Sequence, residues 1–200
     1  MKTSTLISVI FLFLLTSFTY KPSEKFDYLV TITTKFGEIK IILFDDTQLH
    51  KANFLDNISK GYYYGTHFHR VIPNFMIQGG APEQKIFSDS ASFDEMTIPN
   101  EIIEKHKHHY GAVAAARTES PGKRSDKTQF YIVQNKNGAH HLDNAYTVFG
   151  KVVSGMSTVE KITNQPLNGS TPVEKIVMDI ISTKVKKSDM IKFYGVGYDE

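Results

Sequence analysis

Histidine is the most conspicuous reactive residue type in this 200-residue chain, which has eight. His106, His108 and His109 fall in the run Lys105-His106-Lys107-His108-His109-Tyr110, and His140 and His141 are adjacent. A metal centre needs ligands that converge at fixed distances. Lys-flanked histidines in a polar stretch read instead as a solvated face, so no metal site is expected. The chain has no Cys, which excludes disulfides, thiol nucleophiles, Cys-bound zinc and iron–sulfur clusters. It also lacks the G-x-S-x-G, G-x-x-x-x-G-K-[ST], H-E-x-x-H and G-x-G-x-x-G patterns of common catalytic and nucleotide sites. Asn57-Ile58-Ser59 and Asn168-Gly169-Ser170 match the glycosylation triplet, but such triplets are common by chance and the second is equally a turn. What remains is Phe68–Gly80, F-H-R-V-I-P-N-F-M-I-Q-G-G. It sets one permanent cation, Arg70, close to apolar Phe75 and Met76 and to the amide of Gln78. Singly, each has a plain structural reading: Arg70 as a surface ion-pair partner, Phe75 or Met76 as core, Gln78 as a satisfied sheet residue.

Together the residues carry more. The Phe68–Gly80 segment resembles the cyclophilin family of peptidyl-prolyl isomerases. The resemblance continues through Gly111–Arg117 (GAVAAAR), Thr128–Val133 (TQFYIV) and Leu142–Val152 (LDNAYTVFGKV), and covers residues 28–184 in family order. Gly61–Thr66 (GYYYGT) is similar to the bacterial and short-loop members. The resemblance implies a catalytic Arg70 with Gln78. It implies a substrate groove formed by Phe75, Met76, Gln129, Tyr131, His141, Leu142 and Tyr146, with His69 orienting its neighbours. Tyr131 stands where most members have Phe, His141 where many have Trp, and Tyr146 where many have His. The loop Thr118–Lys127 does not align cleanly with the family's Ala-Asn segment, so no residue is assigned to that backbone contact. No cofactor is implied. The implied partners are proline-containing unfolded or flexible polypeptides, met by a monomer, with weak cyclosporin binding because imidazole offers less apolar area than indole.

The residue inventory suits that reaction. Rotation about a peptide bond faces a barrier of about 18–20 kcal/mol because resonance makes C–N partly double. Lowering it requires no broken bond, only tighter binding of the twisted amide than of either planar form. In the twisted state the nitrogen regains its lone pair, and a fixed donor aimed there is a transition-state-specific contact. Arginine keeps its proton and holds a rigid fork. The expected function is therefore prolyl isomerisation that assists folding of exported proteins. The alternative is a proline-segment binding or chaperone module with weak turnover.

These groups need a scaffold. Tyr28–Thr33 and Ile39–Phe44 read as a hairpin about the Lys35–Glu38 turn. Thr47 can cap a helix to Lys60, with Ala52, Leu55 and Ile58 on its buried side and Gly61 as its stop. His67–Ile72, Phe75–Gln78, Gly111–Ala116, Gln129–Gln134 and Thr147–Val153 read as strands. Val173–Val185 reads as a long closing strand, and Ser157–Thr163 as a second helix. Residues 81–109 read as a polar excursion, and Thr118–Lys127 as a flexible basic loop. Many strands and two helices predict a mainly β fold, a closed antiparallel barrel capped by two α-helices; the resemblance implies the eight-stranded cyclophilin-like form of it. The charges nearly balance, 23 basic against 21 acidic, which gives no electrostatic case for nucleic acid as a partner. Lys2 followed by the apolar run Leu6–Leu15 has the form of a secretory signal peptide or, counted to Tyr20, an uncleaved anchor. The expected organisation is this segment over residues 1–24, an isomerase domain over 25–188 and a tail over 189–200, in an exported protein, periplasmic or secreted.

Overall fold

The computed structural model describes residues 24–82, 87–119 and 121–198. The export segment Met1–Tyr20 and residues 199–200 lie outside the described residues. Eight strands form one antiparallel sheet: β1 (Phe26–Thr34), β2 (Gly37–Leu43), β3 (Phe68–Ile72), β4 (Met76–Gly79), β5 (Ala112–Ala115), β6 (Phe130–Val133), β7 (Val148–Ser154) and β8 (Asp179–Lys186). Their order is β8-β1-β2-β7-β5-β6-β4-β3. The sheet curls into a half-barrel and is open, which corrects the expected closed barrel. A single bridge, His67 to Val177, joins the chain before β3 to the chain before β8. The long closing strand fails at its start, since only residues from Asp179 join the ladder. Ser170 and Ile176 carbonyls instead accept from the Val71 and Phe68 N–H groups at 2.7 and 3.0 Å. Chain outside the eight-stranded ladder thus satisfies the free edge of β3. Within it, Thr171–Pro172 pairs with Leu167–Asn168 in a separate two-residue hairpin, and Pro172, which has no N–H, cannot donate to β3.

The central strands β5 and β6 are buried on both faces, whereas β1 alternates between buried and exposed residues and β8 is largely exposed. Val30, Ile32, Ile39, Ile41, Phe68, Ile77, Val113, Phe130 and Ile132 point into the curl and make the main core. The alternate residues of the central strands point outward into a smaller apolar cluster of Met76, Ala112, Ala114, Ala116, Tyr131, Val133 and Val148. Period-two alternation on β4 and β6 thereby divides core from site.

There are three α-helices of two turns or more among the described residues: α1 (Gln48–Ser59), α2 (Met156–Thr163) and α3 (Lys187–Tyr194). This corrects the expected two. The boundary drawn at 188 falls inside α3, whose Met190 is buried with Val196 against Leu29 and Ile42, so the segment read as a tail packs on the sheet. On α1 the buried residues are His50, Phe54 and Asn57; of the three spaced residues, Leu55 and Ile58 pack half-buried against the main core, whereas Ala52 is exposed. The Phe54 ring meets Phe130 edge-on at 5.4 Å and tilts against Phe149 at 5.5 Å. Thr47 does not cap α1. Its hydroxyl donates to Phe44 O at 3.2 Å, and the carboxylate of Glu101, distant in sequence, accepts from Leu49 N and His50 N at 2.9 Å each. Gly61 does stop the helix, at φ +70°. The polar excursion contains a one-turn helix, Phe93–Met96, with a Ser92–Glu95 capping box. Thr97–Ile98 then pairs with Ser125–Asp126, which holds the end of the basic loop.

Candidate active site

Arg70 owes its direction to an irregularity in β3. Phe68 pairs with Gly79 and Arg70 pairs with Gln78, so His69 is the extra residue of a β-bulge. Without it, Arg70 would share the inward face of Phe68, two residues away. With it, Phe68 and Val71 both enter the core, three residues apart, and Arg70 stands outward beside Gln78.

From there a chain of hydrogen bonds runs across the sheet. Arg70 Nη1 donates to Gln78 Oε1 at 3.1 Å, Gln78 Nε2 to Gln129 Oε1 at 3.1 Å, and Gln129 Nε2 to Asp126 Oδ2 at 3.2 Å. The polarity is forced: a carboxylate can only accept and a guanidinium can only donate, so both amides must point the same way. Asp126 is itself fixed, since its Oδ1 accepts from Thr128 N, Thr128 Oγ1 and Gln129 N at 2.7, 2.8 and 3.0 Å.

The guanidinium overlooks a cleft of about 370 Å³ lined by Arg70, Phe75, Met76, Gln78, Ala116, Arg117, Tyr131, Leu142 and Tyr146. Seven of these were singled out from the sequence. Gln129 stands behind Gln78 as its support. His141 is exposed at the rim, its ring 5.3 Å from that of Phe75. His69 is not brought to the cleft, and its ring lies edge-on to His67 at 6.2 Å.

The polar tip of Tyr131 has a buried partner. Its hydroxyl lies 2.9 Å from His108 Nε2, and His108 Nδ1 lies 2.8 Å from Asp143 Oδ1. His108 is 0% exposed, so the solvated-face reading of the His106–His109 cluster fails there. Burial lowers the His108 pKa against the opposing pull of Asp143, which keeps the ring neutral. Its Nδ1–H then donates to Asp143 and its Nε2 accepts from Tyr131. Partial burial raises the Asp143 carboxyl, but bonds from the His108 N–H, the His108 ring and His140 outweigh it and lower the pKa to about 2. Burial raises the Tyr131 pKa, so the phenol stays protonated. His106 also departs from the expected solvated face: it is bonded to Asp46 at 2.7 Å and stacked on Phe44 at 4.1 Å.

Sequence reasoning missed Asp126, Ala116, Arg117, His108 and Asp143. Asp126 had a local signal, the Asp-x-x-Gln spacing that lets a side chain bond the backbone two and three residues on. Nothing local marks His108 as buried. A larger cavity of about 480 Å³ lies elsewhere, lined by Asp45, Asp46, Lys105, His106, Lys151 and Tyr198 among others. Its carboxylates are held by cations, Asp46 by Lys105 at 2.9 Å and Asp45 by Lys187 at 2.9 Å, so it offers no convergent free groups. Among the described residues no group of three His, Asp or Glu could hold a metal ion.

Fold and site together define a half-barrel with a cleft of mixed apolar and polar lining, edged by the guanidiniums of Arg70 and Arg117. Residues 29–185 match the family model described as cyclophilin type peptidyl-prolyl cis-trans isomerase/CLD. A peptidyl-prolyl cis-trans isomerase of Acinetobacter baylyi is 36% identical over 171 residues, covering 82% of this chain and 88% of that protein. Peptidyl-prolyl cis-trans isomerase A of Dickeya dadantii is 34% identical over 151 residues, covering 74% and 77%. A Cryptosporidium parvum cyclophilin type isomerase, solved in the presence of the dipeptide Ala-Pro, superposes with TM-score 0.65 at 29% identity, covering 76% of this chain and 97% of that one. The chain belongs to the cyclophilin-type peptidyl-prolyl cis-trans isomerase family and is an isomerase of that class.

Proposed function

We propose that the cleft twists X–Pro bonds of exported polypeptides during their folding, with Arg70 as the transition-state donor. The carrying observation is the Asp126–Gln129–Gln78–Arg70 chain. It holds a non-titrating donor beside an apolar cleft without neutralising it by direct contact with a carboxylate. Phe75, Met76, Leu142 and Tyr146 offer the proline ring an apolar seat, which excludes water and strengthens the guanidinium's interaction with the developing lone pair. The relative solved with Ala-Pro supports a proline-containing ligand for the same fold. The isomerase chemistry rests on the family. The reading of export rests on Lys2 and the apolar run Leu6–Leu15, which together have the form that directs a chain across a membrane. The test is an isomerisation assay on one X–Pro peptide, wild type beside Arg70→Ala. Peptide binding without turnover in the wild type would favour the binding-module reading over this one.

A further inference from the structure

Among the described residues, every charged side chain that lines the cleft is a cation: Arg70 and Arg117 line it, and no carboxylate does. Arg70 is on β3 and Arg117 lies two residues beyond the end of β5. In the sheet order β5-β6-β4-β3 these strands are separated by three spacings, and Arg117 lies three residues beyond Ala114, which shares the register row of Arg70, so the two backbone positions are roughly 17 Å apart and the two side chains, both reaching into the cleft, shorten the gap between their guanidiniums. An extended peptide covers that span with no more than about five residues. A chain lying across the floor formed by β4 and β6 therefore meets Arg70 at one end and Arg117 at the other.

Arg117 is held but not neutralised. Its Cζ lies 4.6 Å from the centre of the Tyr146 ring and its Nε donates to Ala145 O at 3.3 Å. Its two terminal nitrogens have no partner among the described residues. Lys123 reaches the same turn, with Nζ donating to Asn144 O at 2.7 Å, so a second cation stands beside the first. Glu119, in the same loop, forms no ion pair with either among the described residues. Two carboxylates of the site among the described residues are occupied, Asp126 by four donors and Asp143 by His108 and His140.

We propose that Arg117 and Lys123 form an acidic-residue subsite, so that this enzyme prefers X–Pro segments carrying Asp or Glu within about three residues of the proline, the reach estimated from strand geometry. The proposal rests on the isomerase reading above. A guanidinium stacked on an aromatic face sheds water readily and presents its outer edge in fixed geometry, which suits a carboxylate at little ordering cost.

The test uses the full-length protein and seven-residue peptides with a central proline in an alanine background. Glu or Lys replaces Ala at each of the three positions on either side. Isomerisation is followed by exchange NMR and binding by titration. In the wild type, Glu should exceed Lys by about threefold to tenfold in kcat/KM at one or more positions, the scale of an exposed ion pair. The preference should shrink at 0.5 M NaCl, where exposed charges are screened. It should fall to half or less in Arg117→Gln/Lys123→Gln. It should persist in Lys136→Gln, a remote cation paired with Glu160. Ratios below threefold at every position, or an unchanged ratio in the double variant, overturn the subsite. The neutral peptide tests the parent reading separately. If it is not turned over, isomerisation fails as the function, and the ratio of Glu to Lys dissociation constants decides the subsite by the same thresholds.

Discussion

Arg70 donates to an amide rather than to a carboxylate, so its charge is positioned but left available to the substrate. Arg70→Ala should lower kcat/KM by about 10²–10³-fold, the scale for one preorganised transition-state donor, with the fold retained because the side chain is exposed. Arg70→Lys should also be poor, since a point charge cannot reproduce the fork. A folded Arg70→Ala enzyme with more than half of wild-type kcat/KM would sink the mechanism. Asp126→Ala removes the anchor of the amide chain, leaving Gln129 and Gln78 free to rotate. We expect a loss of about tenfold, and much less than that when the substitution is added to Arg70→Ala, because coupled sites are not additive. Full additivity in that double-mutant cycle would separate Asp126 from Arg70. At the rim, His141 covers less of Phe75 than an indole would. His141→Trp should tighten cyclosporin about tenfold, from roughly 60 Å² of added apolar contact at about 25 cal/mol/Å². Unchanged inhibition in a titration of both proteins would remove His141 from the inhibitor's contact surface.

At the scale of elements, the site depends on one inserted residue. His69 contributes its backbone to the bulge that turns Arg70 outward, and its side chain faces away from the cleft toward His67. His69→Ala should therefore keep kcat/KM within about threefold, as expected when bulge geometry rather than side-chain chemistry aims the neighbour. A hundredfold loss in a folded His69→Ala protein would show that the imidazole itself acts. The same logic of remote support applies to α1. Glu101 caps its first turn and accepts from His50 Nδ1 at 2.6 Å, while His50 Nε2 lies 2.9 Å from buried Ser125. Ser125 immediately precedes Asp126, so the helix cap and the anchor of the Arg70 chain share one support. Glu101→Ala should cost about 1–2 kcal/mol in chemical denaturation, the range for losing a charged cap. A variant as stable as wild type would mean that water replaces the cap without cost.

For the whole molecule, two buried histidines, His50 and His108, and half-buried His69 set the response to acid. Burial lowers the folded pKa values of His50, His69 and His108, while in the unfolded chain each titrates near the ordinary value of about 6.5. The unfolded state therefore binds more protons as pH falls through that value, and the stability these neutral rings contribute is lost on the acid side. Asp45, Asp46 and Asp143 have lowered pKa values. Their contribution is present above their ordinary range near 4 and is lost only at lower pH. The melting temperature should thus fall between pH 7.5 and pH 5, and an equal or higher value at pH 5 in calorimetry would contradict the assignment of neutral rings. Catalysis should behave differently, with a nearly flat rate across the part of that range where the fold holds, because the guanidinium does not titrate.

Local signals were enough for much of this protein. The joint spacing in Phe68–Gln78 and its resemblance to one family grouped Arg70, Phe75, Met76 and Gln78 as one site, whereas plain alternation would have sent Arg70 inward with Phe68 had His69 not been inserted as a bulge. Gly61 stopped α1 because a left-handed turn favours glycine wherever the chain lies. Other features depended on partners far away in the chain. Whether the sheet closes turned on what satisfies the free edge of β3, and residues 170–176 rather than β8 supply it. The cap of α1 comes from Glu101, 52 residues beyond Leu49. His108 reads as a surface residue until Asp143 and Tyr131, 35 and 23 residues away, are seen to enclose it. Arg117 became a cleft residue only when β5 was placed beside β6. Periodicity constrains which face a residue joins, but burial, pairing and charge at a site are properties of the neighbours that folding brings to it.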